Sequence, residues 1–380
     1  MRLVGRVMRA GFAAFAAFVV VLPAAAQERH RAAGIDYELA GRPGWLPASV
    51  TAPDGVDLKF LAIHTVDDFR VDAALWQPKG AAPEATPLVI NVHGSGGNFH
   101  STGVTGFASP ALAEKGYATL SINTRQHDGY IYTDNFYDIR KDIEAAVWTA
   151  RALKYRSIVL HGFSLGSIQV QFYAASDWSP DIKGVAISGA FANLAWKTRY
   201  VVDPDQANYR ALYDSAEQQL RVGKPGEKMP VEMNWRGRKS MPMSAQHFLT
   251  YRWDGTSVAD GTFWIKRIPR PVLIVHDEGD PIVAGYEPEQ LYAAAKSDES
   301  IVPAAKLVTL PNAKGENAGT HGFSDNRGPL IDTIVTWLKE LGLEPAPSAA
   351  PVASENPAGG PAAGGPASAN TAAHANGIVR

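Results

Sequence analysis

A serine set between two glycines is the side chain in this sequence best placed for nucleophilic chemistry. Residues 162–166 have the sequence Gly-Phe-Ser-Leu-Gly, with Ser164 at the centre. An apolar, β-branched run (157–161) precedes them and an amphipathic stretch (167–175) follows. Glycines on both sides of the serine permit a tight turn from strand to helix, which exposes Oγ at the helix N-terminus. The motif alone is common by chance, so this prediction depends on its strand and helix context.

Asp280 is the predicted acid. A serine hydroxyl needs a base within hydrogen-bond reach and a third group that orients the base. In enzymes with this turn the chain order is serine, acid, histidine. Asp280 follows the predicted strand 271–276, and the sequence Asp-Pro-Ile-Val at 280–283 predicts a turn that returns the carboxylate to the sheet edge. Asp277 and Glu278 are the alternative acids, which we interpret as solvated loop residues.

His321 is the predicted base among ten histidines. It alone follows the next predicted strand, Ala305–Leu310, and precedes the final helical pattern. Histidines at other strand ends are interpreted as structural. The carboxyl ends of parallel strands lie at one edge of a sheet, where ligands bind. The chain order therefore predicts a catalytic triad of Ser164, Asp280 and His321 at that edge.

A glycine-rich turn supplies the predicted oxyanion hole. Residues 93–98 have the sequence His-Gly-Ser-Gly-Gly-Asn and follow the predicted strand 87–92. Such a turn allows a backbone N–H to face the serine, and together with the N–H of Leu165 it would hold a developing oxyanion. Ser95 is the favoured donor in this turn, with Gly96 as the alternative. A phosphate-binding turn is disfavoured, because no G-x-x-x-x-G-K-[ST] motif occurs in the chain.

The sequence does not identify the substrate-binding residues. Residues 125–128, Arg-Gln-His-Asp, follow a predicted strand and are candidates for the pocket wall, as are Asn98 and His100. Polar loop residues more often pair with each other than bind a ligand, so we favour a structural role for these segments.

Short apolar runs alternating with helical patterns predict an α/β fold. Runs that end at Gly or Asp indicate buried parallel strands, and helical spacing between them indicates βαβ units with a mostly parallel sheet flanked by helices. An early segment, 56–76, predicts two antiparallel strands. The predicted strands are 87–92, 117–123, 157–161, 182–188, 271–276 and 305–310, and the predicted helices include 136–150 and 331–341.

Residues 190–268 interrupt this alternation. The segment is rich in aromatic residues and holds four of the six methionines. It predicts a helical cap inserted between two strands, which serves partly as core and partly as pocket wall. The catalytic core is accordingly predicted in two parts, 27–189 and 269–342.

The two ends of the chain differ from the rest in composition. Three arginines, an uncharged apolar stretch (10–22) and three alanines (24–26) predict a cleaved secretory signal at 1–26, and thus export to the periplasm or the extracellular space. The stretch is short for a membrane span. Residues 343–380 are dominated by Ala, Pro, Gly, Ser and Asn, which predicts a disordered tail.

Charge and cysteine content narrow the function classes. Lysine and arginine number 36 against 38 aspartates and glutamates, so no strong field would recruit nucleic acid. The chain has no cysteine, which excludes disulfides, thiolate catalysis and cysteine-based metal sites.

Taken together, these motifs resemble the α/β-hydrolase superfamily. The resemblance runs through residues 93–98, 162–166, 277–283 and 319–323 and spans about 50–342. The first of these segments, residues 123–125 and the cap are similar to a poorly characterised branch that includes fungal siderophore esterases. Position 163 is Phe where many relatives have His, which affects the pocket rather than the mechanism.

The resemblance implies a serine hydrolase without metal or diffusible cofactor, acting on a small ester or other acyl substrate. Hydrolysis of a carboxylic ester is the expected reaction. Amide or peptide hydrolysis on the same triad is the alternative within the superfamily, because the fold does not determine the substrate. A non-catalytic binding protein of this fold would carry a damaged triad or turn, and none is visible.

Overall fold

The computed structural model describes residues 30–32, 34–101, 103–235, 238–239, 242–312 and 321–345. The predicted signal, 1–26, lies outside the described residues, as does all of the predicted tail, 343–380, beyond residue 345. Within those ranges, no helix is long and apolar enough to cross a membrane.

A ten-stranded sheet forms the centre of the protein, and a separate pair of short strands lies in the cap. Uninterrupted apolar runs produce strands that are buried on both faces. In β5, for example, Leu88, Ile90 and Val92 face one apolar cluster while Val89 faces another. The strands are β1 (His30–Ala32), β2 (Ile35–Ala40), β3 (Val56–His64), β4 (Arg70–Pro78), β5 (Leu88–Val92), β6 (Ala118–Ile122), β7 (Ile158–Phe163), β8 (Ile182–Ser188), β9 (Asn234–Trp235), β10 (Arg238–Lys239), β11 (Val272–Asp277) and β12 (Ala305–Leu310).

The strand order places β5 and β7 side by side at the centre of the sheet. The order is β1-β2-β3-β4-β6-β5-β7-β8-β11-β12, antiparallel as far as the β4–β6 pair and parallel from β6 onward. From β5 the chain moves first to one side, to β6, and then to the other, to β7. Such a reversal opens a crevice at the carboxyl ends of the two strands, where ligands bind in open α/β sheets.

Helices cover both faces of the sheet. One apolar cluster joins it to α2, α3 and α8, and another joins it to α1 and α9. The helices are α1 (Val104–Glu114), α2 (Ile139–Ala152), α3 (Leu165–Ser176), α4 (Leu194–Lys197), α5 (Ala207–Arg221), α6 (Ala245–His247), α7 (Gly261–Ile265), α8 (Tyr286–Ala295) and α9 (Arg327–Glu340). The predicted α/β architecture, a mostly parallel sheet flanked by helices, is confirmed.

Several details differ from the sequence prediction. The antiparallel region contains four strands rather than two, because β1 and β2 precede the predicted pair. Helices α1 and α8 were not predicted. Helix α3 was predicted as amphipathic but is buried around most of its surface, since it packs against β7 and is covered by α7.

Residues 190–268 lie between β8 and β11, and both ends of the segment pack into the core of the sheet. Its middle part has an apolar cluster of its own. Tyr209, Met229, Met243 and Phe248 are fully buried in it. Two single π-helical turns, Thr198–Val202 and Phe248–Arg252, follow α4 and α6 directly. Turns of this kind are rare and often stand at functional sites.

Candidate active site

Ser164 occupies a strained turn between β7 and α3. Its φ of 55° and ψ of −123° lie in a region that side chains rarely adopt. A Cβ on Gly162 would stand 2.3 Å from the carbonyl oxygen of Gly166, and a Cβ on Gly166 would stand 2.5 Å from that of Val92. Both positions therefore need glycine for this turn to close against β5. The glycine spacing predicted from sequence has this steric cause.

His321 lies beside Ser164. Its Nε2 is 2.7 Å from the serine Oγ, and its Nδ1 is 2.8 Å from Oδ2 of Asp280. The imidazole packs near the ring of Phe163, with centroids 5.0 Å apart, and near that of Phe191. The structure thus brings the three predicted side chains into one hydrogen-bonded line across 157 residues of sequence.

Asp280 is held by the backbone as well as by His321. Its side chain has no solvent exposure, and Oδ1 accepts the N–H groups of Ile282 and Val283 at 2.7 and 3.0 Å. Burial would raise the pKa of this carboxyl. The hydrogen bond and charge of His321, with the two amides, outweigh it and hold the pKa below its usual value. The carboxylate is therefore ionised and fixed in orientation.

The alternative acids in this loop point elsewhere. Asp277 accepts hydrogen bonds from the amide of Gly279 and from the side chain of Asn326. Glu278 accepts the amide of Asn312. Of the three carboxylates, only Asp280 contacts His321.

The glycine-rich turn lies directly over Ser164. A Cβ on Gly94 would stand 2.7 Å from the serine Cβ, so this turn also requires a glycine. The amide of Gly97 closes the turn by donating to the carbonyl of Gly94 at 3.0 Å. Ser95 lines the same cavity as Ser164 and Leu165. Leu165 is the first residue of α3, where a backbone N–H has no carbonyl partner in the helix.

His93 supports this turn from below. Its Nε2 accepts the N–H of Thr124 at 3.1 Å, so Nδ1 carries the proton and donates to the carbonyl of Gly94 at 2.7 Å. Burial lowers the pKa of His93 to about 4. The ring is thus a neutral brace for the turn. His161 is similarly buried, between Asn91 and Ser188, and its pKa is also about 4.

Most of the weaker candidates from sequence pair with other residues, whereas the side chain of Gln126 is buried without a hydrogen-bond partner among the described residues. Arg125 binds Asp142 and Asp67 and lies over the ring of Phe69. Asn98 donates to Asp128 at 2.7 Å. His100 packs against Trp45 and Phe99. Neither Arg125 nor Asn98 nor His100 lines the cavity at Ser164.

A cavity of about 540 Å³ opens at Ser164, with His321 on its wall. Its apolar wall contains Phe163, Phe191, Leu194 and Ile282. Of these side chains, sequence reasoning named only Phe163 as one that affects the pocket, and it predicted the cap as a pocket wall without naming residues. It also missed two others on the wall, Tyr132 and Arg252. Among the described residues no group of three His, Asp or Glu side chains could hold a metal ion.

Comparison with known proteins identifies the family. A family model described as alpha/beta hydrolase fold matches residues 87–313, more than half of the chain. The chain belongs to the α/β-hydrolase family. Within it, the human (Homo sapiens) serine hydrolase BPHL is 26% identical over 177 residues, which are 46% of this chain and 54% of that protein. This α/β-hydrolase therefore spans about half the length of that curated relative.

Solved structures share the fold at low sequence identity. Est1E from Butyrivibrio proteoclasticus, solved with ferulic acid bound, has a TM-score of 0.54 at 22% identity, covering 72% of this chain and 96% of that chain. A hypothetical protein, PA2218 of Pseudomonas aeruginosa, has a TM-score of 0.57 at 17% identity, covering 79% and 99%. At these identities the likeness is one of fold alone.

Proposed function

We propose that this α/β-hydrolase is a serine hydrolase that cleaves carboxylic esters, with Ser164, His321 and Asp280 as its catalytic triad. The observation that carries the proposal is the continuous hydrogen-bonded line from Asp280 through His321 to the serine hydroxyl. The serine end of that line faces a cavity large enough for a small ester. The human relative is named a serine hydrolase, which agrees with a serine nucleophile.

The proposed reaction has two steps. Oγ of Ser164 attacks the ester carbonyl while its proton passes to Nε2 of His321, and the alcohol then leaves with that proton. Water attacks the acyl-enzyme by the same route, with His321 again as base, and releases the acid. Asp280 keeps Nδ1 protonated and Nε2 directed at the serine throughout. The two backbone amides on its carboxylate support that role, because they fix its orientation.

The oxyanion of each tetrahedral intermediate is proposed to bind the N–H groups of Ser95 and Leu165. Placement of both residues on the wall of the Ser164 cavity supports this assignment, and Gly96 remains the alternative donor in the same turn. Removing one such donor costs a comparable enzyme about 3 kcal/mol of transition-state stabilisation. The brace of His93 under Gly94 supports a preorganised turn rather than one that forms on binding.

The nucleophile is tested with a panel of p-nitrophenyl esters of increasing acyl length. We expect Ser164→Ala to lose on the order of 10⁶-fold in kcat, as in comparable triads, and to lose labelling by a fluorophosphonate probe. Ser176→Ala, at the exposed end of the same helix, is the matched control and should keep both. Undiminished turnover in Ser164→Ala would reject the mechanism. If the wild-type protein cleaves matched p-nitroanilides faster than the esters, the proposed triad stands and amides replace esters as the proposed substrate class.

Export is proposed on the N-terminal composition alone. Basic residues, a short apolar stretch and small residues before Gln27 support a cleaved signal. Expression of the full chain in a bacterial host, followed by fractionation and N-terminal sequencing, tests this. We expect a mature chain that begins at Gln27 outside the cytoplasm. A cytoplasmic chain that retains residues 1–26 would contradict it.

A further inference from the structure

Arg252 is a buried arginine on the wall of the cavity that contains Ser164. Its side chain belongs to the cap, at the end of the π-helical turn Phe248–Arg252, and the residue is 2% exposed. Its guanidinium carbon lies 5.0 Å from the ring centroid of Tyr132, which also lines the cavity. A positive charge is thus held at the site away from bulk water.

This guanidinium has few partners. Among the described residues, one of its five N–H donors has a hydrogen-bond partner: Nη1 donates to Oγ1 of Thr198 at 3.2 Å. Nε is buried and has no hydrogen-bond partner. No carboxylate of the described residues forms an ion pair with Arg252. Asp134, which accepts hydrogen bonds from His247 and from Tyr251 beside Arg252 in sequence, is not one of its partners.

Burial without a counterion is costly for an arginine. Taking such an ion out of water costs several kcal/mol unless a partner of opposite charge compensates it. Arg125 shows the ordinary solution in this protein, since it binds two aspartates. Arg252 has no such compensation and faces an open cavity, so the geometry indicates that its partner is a ligand.

The shape and chemistry of the cavity restrict the chemical class of that ligand. Arg252 is the only permanently charged side chain among the described residues that line it, and much of the remaining wall is apolar. A guanidinium fork matches a planar carboxylate through two parallel hydrogen bonds. A phosphate would bring more charge than this single cation offsets. The ligand class is therefore an organic carboxylate with an apolar body.

We propose that Arg252 binds a free carboxylate of the substrate, so that the protein prefers esters that also carry a carboxylate. This rests on the proposed esterase function. The π-helical turns give an independent observation: Arg252 ends one of them and its partner Thr198 begins the other. Such turns re-aim side chains and recur at functional sites.

The test uses two matched substrate pairs. One pair is the mono-p-nitrophenyl ester of glutaric acid and its methyl-capped diester, with the charge on the acyl side. The other pair is 4-carboxyphenyl butyrate and its methyl ester, with the charge on the alcohol side. We expect kcat/KM to favour the carboxylate in one pair by about 10- to 100-fold, the range of a charge-assisted hydrogen bond. Arg252→Met should bring that ratio close to one, and Arg252→Lys should leave an intermediate ratio.

Arg267→Met is the matched control, because Arg267 is exposed on the same chain segment and its guanidinium contacts the carbonyl and the ring of Phe263. It should keep the wild-type ratio. A ratio near one in both pairs for the wild-type protein, or an unchanged ratio in Arg252→Met, overturns the proposal while leaving esterase activity intact. If the esterase proposal itself is wrong, the result is different: the wild-type protein cleaves none of the four esters.

Binding is measured independently of turnover with 3-phenylpropionate and its neutral amide. We expect the carboxylate, but not the amide, to raise the melting temperature of the wild-type protein, and neither to stabilise Arg252→Met. The unliganded Arg252→Met protein should unfold at the same or a higher temperature than wild type, because a buried charge without a counterion is removed. Equal stabilisation of both proteins by the carboxylate overturns the proposal even if no ester is cleaved.

Discussion

A buried ion pair links the cap to the loop that carries Asp280. Lys197, at the end of α4, donates to Glu287 on α8 and also to the carbonyl of Ile282 at 2.6 Å. Both charged side chains are 2% exposed. Glu287 in turn accepts the amides of Ala284 and Ala192 at 3.2 and 3.4 Å. Because Ile282 also donates its amide to Asp280, the pair fixes the backbone that orients the acid.

Replacing Glu287 by glutamine tests this linkage. The change leaves a buried ammonium without its carboxylate, which costs about 3–5 kcal/mol in proteins. At about 2 °C per kcal/mol for a domain of this size, the melting temperature should fall by about 6–10 °C. Lys197→Met combined with Glu287→Gln removes both charges and keeps an amide oxygen for one of the two backbone N–H groups, which bond to different oxygens of Glu287. The double variant should therefore recover most of the loss.

The assay is a double-variant cycle followed by thermal and guanidinium unfolding, with kcat measured on p-nitrophenyl butyrate. We expect a coupling free energy of about 2 kcal/mol or more between the two positions, and a kcat for Glu287→Gln several-fold below wild type. The exposed pair of Lys266 and Glu299 provides the control, since Glu299→Gln should leave the melting temperature unchanged. A Glu287→Gln protein that melts within 2 °C of wild type would refute the reasoning.

Three further outcomes are expected. Asp280→Asn should lower kcat by about 10³- to 10⁴-fold through loss of the imidazole orientation, with little change in far-UV circular dichroism; a loss below tenfold contradicts the assigned role. Gly166→Ala should abolish activity or soluble expression, because the added Cβ meets fixed backbone at 2.5 Å, and wild-type kcat in this variant would exclude that turn geometry. His93 and His161 have pKa values of about 4 in the folded protein. The unfolded chain takes up those protons first, near the ordinary pKa of about 6.5, so stability falls as pH drops from 6.5 toward 4, by up to about 3 kcal/mol for each histidine. Asp142 has a pKa raised to about 6 by burial, so its protonation offsets part of this loss of stability. Urea unfolding that shows no net loss of stability between pH 7 and pH 5 would contradict the prediction.

The central, parallel part of the sheet was predictable because its strands β5, β7 and β11 are buried on both faces. β5, β7 and β11 are continuous apolar runs, a pattern that leaves little choice of structure once a glycine or aspartate ends each run. Their carboxyl ends must share an edge, so chain order alone could nominate the nucleophile, the acid and the base. The distances that join those side chains depend on three-dimensional packing and could be measured only in the structure.

The missed elements have weak periodic signals. Helix α1 contains Pro110, which is unusual inside a helix. It is also buried on two sides, between the sheet and α9, so it has no polar face that would mark it as a helix. Helix α8 buries Glu287 and Pro288 beside Leu291, which masks its apolar stripe. Strand β1 has only three residues and β2 alternates apolar and acidic residues over only six positions, so the signal for both strands is short.

Arg252 could not be predicted because nothing local distinguishes it. It stands 88 residues from Ser164 within an aromatic segment, and an arginine there is ordinarily a surface residue. Only the folded cap shows that its guanidinium faces the cavity without an acidic partner.

The division between sheet and cap has a consequence for specificity. Ser164, Asp280 and His321 stand at strand ends of the sheet, whereas Arg252 comes from the inserted cap, which is stabilised by its own apolar cluster. Under the proposed mechanism, the groups that react therefore lie at the sheet and the group that selects the substrate lies on the inserted segment, where the neighbouring Tyr251 packs in one apolar cluster with Leu165 and Val283. A change at Arg252 should alter which ester is preferred without moving the line from Asp280 to Ser164. The Lys197–Glu287 pair also joins the cap to the loop that carries Asp280. Its loss should therefore affect both the reaction rate and the substrate preference.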